Sequence, residues 1–326
     1  MIDGHTPVLL RETMSALAVK DGGHYVDATF GRGGYTQAIL TAADCVVTAI
    51  DQDPAAIAFG KSLQLRFKGR LTLIEGRFGG MDRLIRRITD ASVDGVALDI
   101  GVSSPQLDSP ERGFSFHRDG PLDMRMGATG QTAADVVNTA SESALSSIIF
   151  QLGQDRAARR IAKAIVASRA QGAITRTVQL ADIIRSAQPE AHTSRIDPAT
   201  RTFQALRIHV NHELEELDDG LRSAERLLQP GGRLAVVCFH SLEDRRVKRF
   251  IRTRSEGAPR MSRHWPVAGD RRAPTFRLLH RRAIRPSLAE IETNPRARSA
   301  RLRAAERTAA SVWTHDLSDE AAGGAT

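Results

Sequence analysis

Over the first hundred residues, short apolar runs alternate with stretches whose apolar residues recur every three or four positions. His24–Phe30, Val46–Asp51, Leu71–Glu75 and Val93–Ile100 read as strands. Helices are predicted over residues 34–43 and 54–65, and after Phe78, where Met81, Leu84, Ile85 and Ile88 share one face. Pro54 sits at a first helical position, where its fixed φ and missing N–H do no harm. Strands alternating with helices predict a parallel, doubly wound sheet. The alternation stops between about Asp108 and Arg201. There Ala144, Leu145, Ile148, Ile149 and Leu152 form one helical face and Ile161, Ala164, Ile165 and Ser168 another, and Gln179–Ala187 reads as a third, short helix. The α/β pattern then returns. A long helix is expected from Gln204, with Leu214, Leu217, Leu221, Ala224 and Leu228 in register. A turn at Pro230-Gly231-Gly232 follows, then an apolar strand, Arg233–Phe239, and a helix, Leu242–Arg254. Thr275–Ile284 is expected as a late edge strand, and the Arg/Ala-rich run Asn294–Thr308 as a helix. The expected organisation is an α/β core built from residues 1–107 and 202–317. A helical substrate-recognition domain is inserted at 108–201, and a flexible tail runs over 318–326.

Ligands of doubly wound sheets bind beyond the carboxyl ends of the strands. Those ends are Asp27 to Gly31, Asp51, Gly76 to Phe78 and Asp99 to Gln106, all polar or glycine-bearing. The first is the most informative: Val26-Asp27-Ala28-Thr29-Phe30-Gly31-Arg32-Gly33-Gly34-Tyr35 is a strand, an acidic residue and a glycine-rich turn opening a helix. Glycine lets backbone N–H groups approach a ligand, and Asp51 at the next strand end is placed to hold two ribose hydroxyls. The spacing G-x-G-G is not the dinucleotide fingerprint G-x-G-x-x-G. Asp27 would also repel a diphosphate. An adenosine ligand without phosphates fits better, with S-adenosylmethionine the obvious one, and a nicotinamide dehydrogenase is a poor alternative.

Charge adds a second partner. Arg245–Arg303 holds eighteen Arg or Lys against four Asp or Glu, so against a whole-chain charge of +8 the remainder is −6. The segment is mostly arginine, interleaved with His264, Trp265, Phe276 and His280. Arginine offers planar, forked donors to phosphate and stacks on bases. A nucleic-acid surface is expected there, with Arg245, Arg271, Arg272, Arg281, Arg282, Arg296 and Arg298 as candidate contacts. Arg156, Arg159, Arg160 and Lys163 in the insertion form a further basic group. No uncharged apolar run approaches the ~20 residues that span a bilayer. Two cysteines, Cys45 and Cys238, make no disulfide framework, so a reducing cytoplasm is expected. No metal-ligand cluster is evident.

Several blocks together carry a specific resemblance. They are His5-Thr6-Pro7-Val8-Leu9-Leu10, the Asp27–Tyr35 loop, Leu98-Asp99-Ile100-Gly101-Val102-Ser103-Ser104-Pro105-Gln106-Leu107-Asp108, Gly113-Phe114-Ser115-Phe116 and Gly120-Pro121-Leu122-Asp123-Met124-Arg125-Met126. Arg201-Thr202-Phe203-Gln204-Ala205-Leu206-Arg207-Ile208, Phe239-His240-Ser241-Leu242-Glu243-Asp244-Arg245 and Asn294-Pro295-Arg296-Ala297-Arg298-Ser299 complete the set. In this order, over nearly the whole chain, they resemble the bacterial ribosomal small-subunit RNA (cytosine-N4) methyltransferase family. The resemblance implies a class I, Rossmann-like methyltransferase fold with an inserted helical domain. It also implies S-adenosylmethionine as cofactor, a cytidine in the decoding region of 16S ribosomal RNA as substrate, and a homodimer as an expectation. It places cofactor contacts on Gly33, Gly34, Tyr35, Asp51, Phe78, Asp99 and Gln106. Tyr35 stands where relatives are expected to have histidine, which favours a backbone role there.

Methyl transfer from a sulfonium to an exocyclic amine is an in-line displacement, so positioning carries much of the catalysis. Cytosine N4 is conjugated with its ring and is a poor nucleophile; acceptors that bind its protons would align the lone pair. Ser104, the carbonyls around Pro105 and Asp99 are the candidates for this task. Two alternatives remain at this level. One is a cytosine-C5 methyltransferase using Cys238 as nucleophile. The other is a non-catalytic RNA-binding ribosome assembly factor.

Overall fold

The structure is a computed structural model that describes residues 7–188, 197–256 and 272–313. The tail expected at 318–326 lies outside the described residues. The chain packs as two compact units: residues 1–100 with 216–326, and residues 101–215.

The first unit holds a seven-stranded sheet in the order β3-β2-β1-β4-β5-β7-β6. The strands are β1 (His24–Asp27), β2 (Val46–Asp51), β3 (Leu71–Glu75), β4 (Val93–Asp99), β5 (Leu228–Cys238), β6 (Phe276–Leu278) and β7 (Arg301–Arg307). The first five are parallel, and β7 runs antiparallel to both β5 and β6. Helices α1 (Leu10–Leu17), α2 (Gly34–Ala42), α3 (Pro54–Arg66) and α4 (Met81–Arg86) fall in its N-terminal part. Because side chains alternate across a strand, each central strand feeds two cores. Tyr25, Ala97, Ala235 and Val237 join Leu17, Ile39, Leu40 and Leu63 on one side. Val26, Val96, Leu98, Leu234 and Val236 join Met81, Ile85, Leu217 and Leu221 on the other. Near-continuous apolar runs in the sequence are the signature of strands covered on both faces.

Two expectations are corrected. The segment expected as a helix over 294–308 is a short 3-10 turn, Pro295–Ser299, followed by strand β7. Its Ala and Arg residues favour a helix locally. The open edge of β5 overrides that preference, pairing all of Arg233–Cys238 with Arg301–Glu306. The long helix expected from Gln204 is two helices, α10 (Ala199–Asn211) and α11 (Glu213–Leu227), broken at His212 in the left-handed region (φ 53°). Pro230-Gly231-Gly232 lies inside β5 as an irregularity, with Gly231 at φ 84° and a register shift against β4 between Val93 and Gly95.

The second unit contains α5 (Ser104–Asp108), α6 (Ala133–Thr139), α7 (Glu142–Gly153), α8 (Ala158–Arg169), α9 (Thr177–Ser186) and α10. Its core joins Leu145, Ile149, Ile161, Ile165, Leu180 and Ile184 with Phe116, Phe203 and Leu206. The unit begins earlier and ends later than the 108–201 expected. Val102 and Leu107 pack on its core at one end, and Ala199, Phe203 and Leu206 of α10 lie in that core at the other. The C-terminal part of the first unit adds α12 (Ser241–Glu256) and α13 (Leu288–Thr293). Among the described residues no helix is long and apolar enough to cross a membrane.

Candidate active site

Three carboxylates end three neighbouring parallel strands, β2, β1 and β4. Asp27 ends β1 and is 1% exposed. Its Oδ2 accepts the Thr36 N–H at 3.1 Å and the Thr36 hydroxyl at 2.7 Å, and Oδ1 accepts the Thr29 N–H at 3.3 Å. The carboxylate therefore fills the N-terminus of α2, where a dinucleotide fold seats its pyrophosphate. A phosphate cannot share that place. Burial, eased by these hydrogen bonds, raises Asp27 to about 6.

Asp51 ends β2. Its Oδ2 accepts the Gly31 N–H at 2.7 Å and its Oδ1 the Asp53 N–H at 2.9 Å, tying the glycine loop to the next strand. Burial pushes its pKa upward. Gly33 turns the loop into α2 at φ 71°, and a Cβ there would meet the Phe30 ring at 2.7 Å. Gly34 and Tyr35 begin the helix, where backbone N–H groups have no intrahelical acceptor. The Tyr35 side chain is buried and its hydroxyl donates to the Val8 carbonyl, so its phenol serves packing while its backbone faces the loop.

Asp99 ends β4. Its N–H donates to the Thr29 hydroxyl at 2.7 Å, yet its buried Oδ1 has no hydrogen-bond partner among the described residues. Burial, reinforced by the charges of Asp27 and Glu243, raises its pKa to about 8. An orphaned buried carboxylate oxygen costs free energy unless something else binds it. A cationic ligand at these strand ends would supply that partner, and the loop N–H groups would meet an anionic one. The residues present thus fit S-adenosylmethionine, which carries both.

Other expected site residues have structural partners. Phe78, in a 3-10 turn after β3, packs so closely on α11 that a Cβ at Gly220 would lie 2.5 Å from its ring. In the second unit, Ser104 and Pro105 form the first turn of α5, and buried Gln106 accepts the Ser103 N–H at 3.0 Å, capping that helix. Cys238 is 1% exposed, and burial pushes its thiol well above the usual range, which argues against a thiolate nucleophile there. Glu243 was not a sequence candidate. It is fully buried and accepts the N–H groups of Phe239 (2.7 Å) and His240 (3.1 Å) at the start of α12. A Glu at the third helical position after a strand end is a capping signal that could have flagged it.

The candidate RNA arginines divide. Arg245, Arg281, Arg282, Arg296 and Arg298 are exposed. Arg272 is half-buried over the Trp313 ring at 5.6 Å, which gives it a packing role, and Arg271 lies outside the described residues. In the second unit Arg156, Arg159, Arg160 and Lys163 are exposed, opposite the buried Ala158, Ile161 and Ile165 of α8.

The strand order, the antiparallel β7 and the glycine loop flanked by strand-end carboxylates define a class I, S-adenosylmethionine-dependent methyltransferase. The model of the MraW methylase family matches residues 3–308, and the chain belongs to that family. It is 59% identical over 306 residues to the ribosomal RNA small subunit methyltransferase H of Rhodospirillum centenum, covering 94% of this chain and 93% of that one. It is 57% identical over 313 residues to the protein of the same name from Parvibaculum lavamentivorans, covering 96% and 92%. A solved structure of a putative rRNA-methylase from Clostridium thermocellum aligns with 93% of this chain and 98% of its own, at 15% identity and a TM-score of 0.42.

Proposed function

We propose that this enzyme transfers the methyl group of S-adenosylmethionine to the N4 amine of a cytidine in small-subunit ribosomal RNA. The observation that carries this is Asp99 at the end of β4, whose buried Oδ1 has no partner among the described residues, beside a loop whose phosphate seat Asp27 already fills. Bound S-adenosylmethionine would supply a methyl on a positively charged sulfonium. Asp51 would hold the ribose hydroxyls, and the Gly34 and Tyr35 N–H groups the ligand's carboxylate. Asp99 would accept a hydrogen bond from the attacking amine and, in its ionised form, take one of its protons. The target base must leave its stack to be reached, which suits a single-stranded or flipped nucleotide. The exposed arginines of the C-terminal segment and the basic face of α8 support RNA as the substrate. The resemblance to the family also carries the decoding-region cytidine, a cytoplasmic setting and a homodimer into this reading.

The test is nucleoside mass spectrometry of unmethylated small subunits incubated with the enzyme and S-adenosylmethionine. One methyl on one cytidine, eluting as N4-methylcytidine, is expected. A C5-methyl product, or none, would overturn the reading. Cys238→Ser should leave methylation near normal, since the thiol is buried; a dead but folded variant would revive the C5 mechanism. Asp51→Ala removes charge-assisted hydrogen bonds to ribose, each about 1.5–3 kcal/mol, so S-adenosylmethionine affinity should fall more than tenfold. Calorimetric titration showing wild-type affinity would remove Asp51 from the site.

A further inference from the structure

A cleft of about 160 Å³ opens in the first unit where β5 ends and β7 begins. Cys238 is in register with Arg301, so the start of β7 lies at the same edge of the sheet as Asp27, Asp51 and Asp99. Phe239, His240 and Ser241 form one wall; Arg285, Arg298 and Arg301 are the charged groups of the others, and among the described residues no acidic side chain lines it.

The arginines of this cleft differ from most of their neighbours. Arg254 is paired with Glu225, Arg277 with Glu306, and Arg303 with Asp244. Arg301 shares that same Asp244, so two guanidinium groups divide one carboxylate. Arg285 and Arg298 are exposed and have no hydrogen bond or ion pair among the described residues. Their backbones are nevertheless fixed. Ile284, next to Arg285, exchanges two hydrogen bonds with Leu302 of β7, at 3.0 and 2.9 Å. Arg298 sits in the 3-10 turn between Ala297 and Ala300, both buried. Held stems, unspent guanidinium heads and a wall free of carboxylates make a preformed anion seat. Forked guanidinium donors match phosphate oxygens.

Position selects the anion. The groups suited to the carboxylate and ribose of S-adenosylmethionine lie at the ends of β1 and β2. In the order β2-β1-β4-β5, the end of β5 lies two strands beyond β1, or ~10 Å at the usual strand spacing. The end of β4, where the methyl would be transferred, lies between. The cleft is therefore on the acceptor's side of the reaction.

We propose that this cleft seats one backbone phosphate of the RNA next to the methylated cytidine, held by Arg285 and Arg298. The inference rests on the RNA methyltransferase reading. It makes Arg285, absent from the sequence-based candidates, a binding residue, and gives Arg298 a defined ligand in place of a general share of the basic surface.

The test uses the full-length Arg285→Ser/Arg298→Ser double variant and a ribosomal RNA fragment carrying the methylated cytidine. RNA affinity at low salt should fall tenfold or more, and the log–log slope against salt should flatten by about 0.7 for the one phosphate lost. S-adenosylmethionine affinity should stay at the wild-type value. A series of fragments, each with a single neutral methylphosphonate, should show one position beside the cytidine where the wild type loses affinity and the double variant does not. An unchanged slope with no such position would overturn the seat. So would a loss of S-adenosylmethionine affinity, which would put the cofactor's carboxylate in the cleft. Methylation by the wild type is scored separately. If it is absent, the functional reading fails and the seat with it; if it is present with an unaltered variant, the seat alone fails.

Discussion

Glu225→Ala is expected to destabilise the protein by about 3–5 kcal/mol, because it breaks a buried ion pair by removing one partner. Glu225, on α11, is 1% exposed, and Arg254, on α12, is 2% exposed. The Arg254 Nε donates to both carboxylate oxygens, at 3.1 and 3.0 Å, and the Thr275 hydroxyl donates to Oε1 at 2.5 Å. Arg307 of β7 donates to the Glu225 carbonyl at 3.1 Å and to the carbonyls of Thr275 and Thr308. The Arg254 guanidinium also lies 4.3 Å from the centre of the Trp313 ring. The Glu225 carboxylate thus ties α11 to α12 and to Thr275, and its backbone carbonyl ties α11 to β7. Glu225→Gln keeps an acceptor for Thr275 and should cost less than Glu225→Ala. Urea unfolding followed by fluorescence gives the comparison. A wild-type midpoint for Glu225→Ala would show that the network contributes nothing to stability.

The parts of the fold legible in the sequence are those with a simple periodic cause. β1, β2 and β4 are runs largely buried on both faces, and each ends in a carboxylate of the candidate site. An aspartate closing an apolar strand has few structural reasons to be there, so Asp51 and Asp99 stood out. The failures arose where a distant partner decides local conformation. Arg301–Arg307 has helix-forming composition and becomes a strand only because β5 offers an open edge about seventy residues earlier in the chain. The break at His212 carries neither glycine nor proline, so no local signal marks it. The cleft at Arg285 needed the pairing of the other arginines to be known, since charge density alone cannot separate a guanidinium spent on Asp244 from a free one.

Asp99→Asn should lower the methylation rate by roughly 10²–10⁴-fold, the usual range for a proton acceptor, and should abolish a pH dependence of cofactor binding. In the ligand-free protein Asp99 is raised to about 8 by burial and by the charges of Asp27, on β1, and Glu243, on α12. Below that pH it is mostly protonated. A sulfonium cation bound beside it favours the carboxylate and lowers its pKa. Binding at neutral pH must then release a proton, so S-adenosylmethionine affinity should rise with pH, by up to tenfold per unit, and level off above about 8. The same raised pKa acts on folding with the opposite sign. The native state holds this proton more tightly than the unfolded chain, so the stability of the ligand-free protein should decline as pH rises from the ordinary carboxylate range towards 8. Cofactor should offset that decline, since it stabilises the ionised form. Calorimetric titrations at one pH in two buffers of different ionisation enthalpy count the protons directly. Near one proton released by the wild type at pH 7, and none by Asp99→Asn, is the expected pair of results. If the wild type releases no proton, Asp99 is already ionised in the free enzyme, and its unpartnered oxygen does not await the cation.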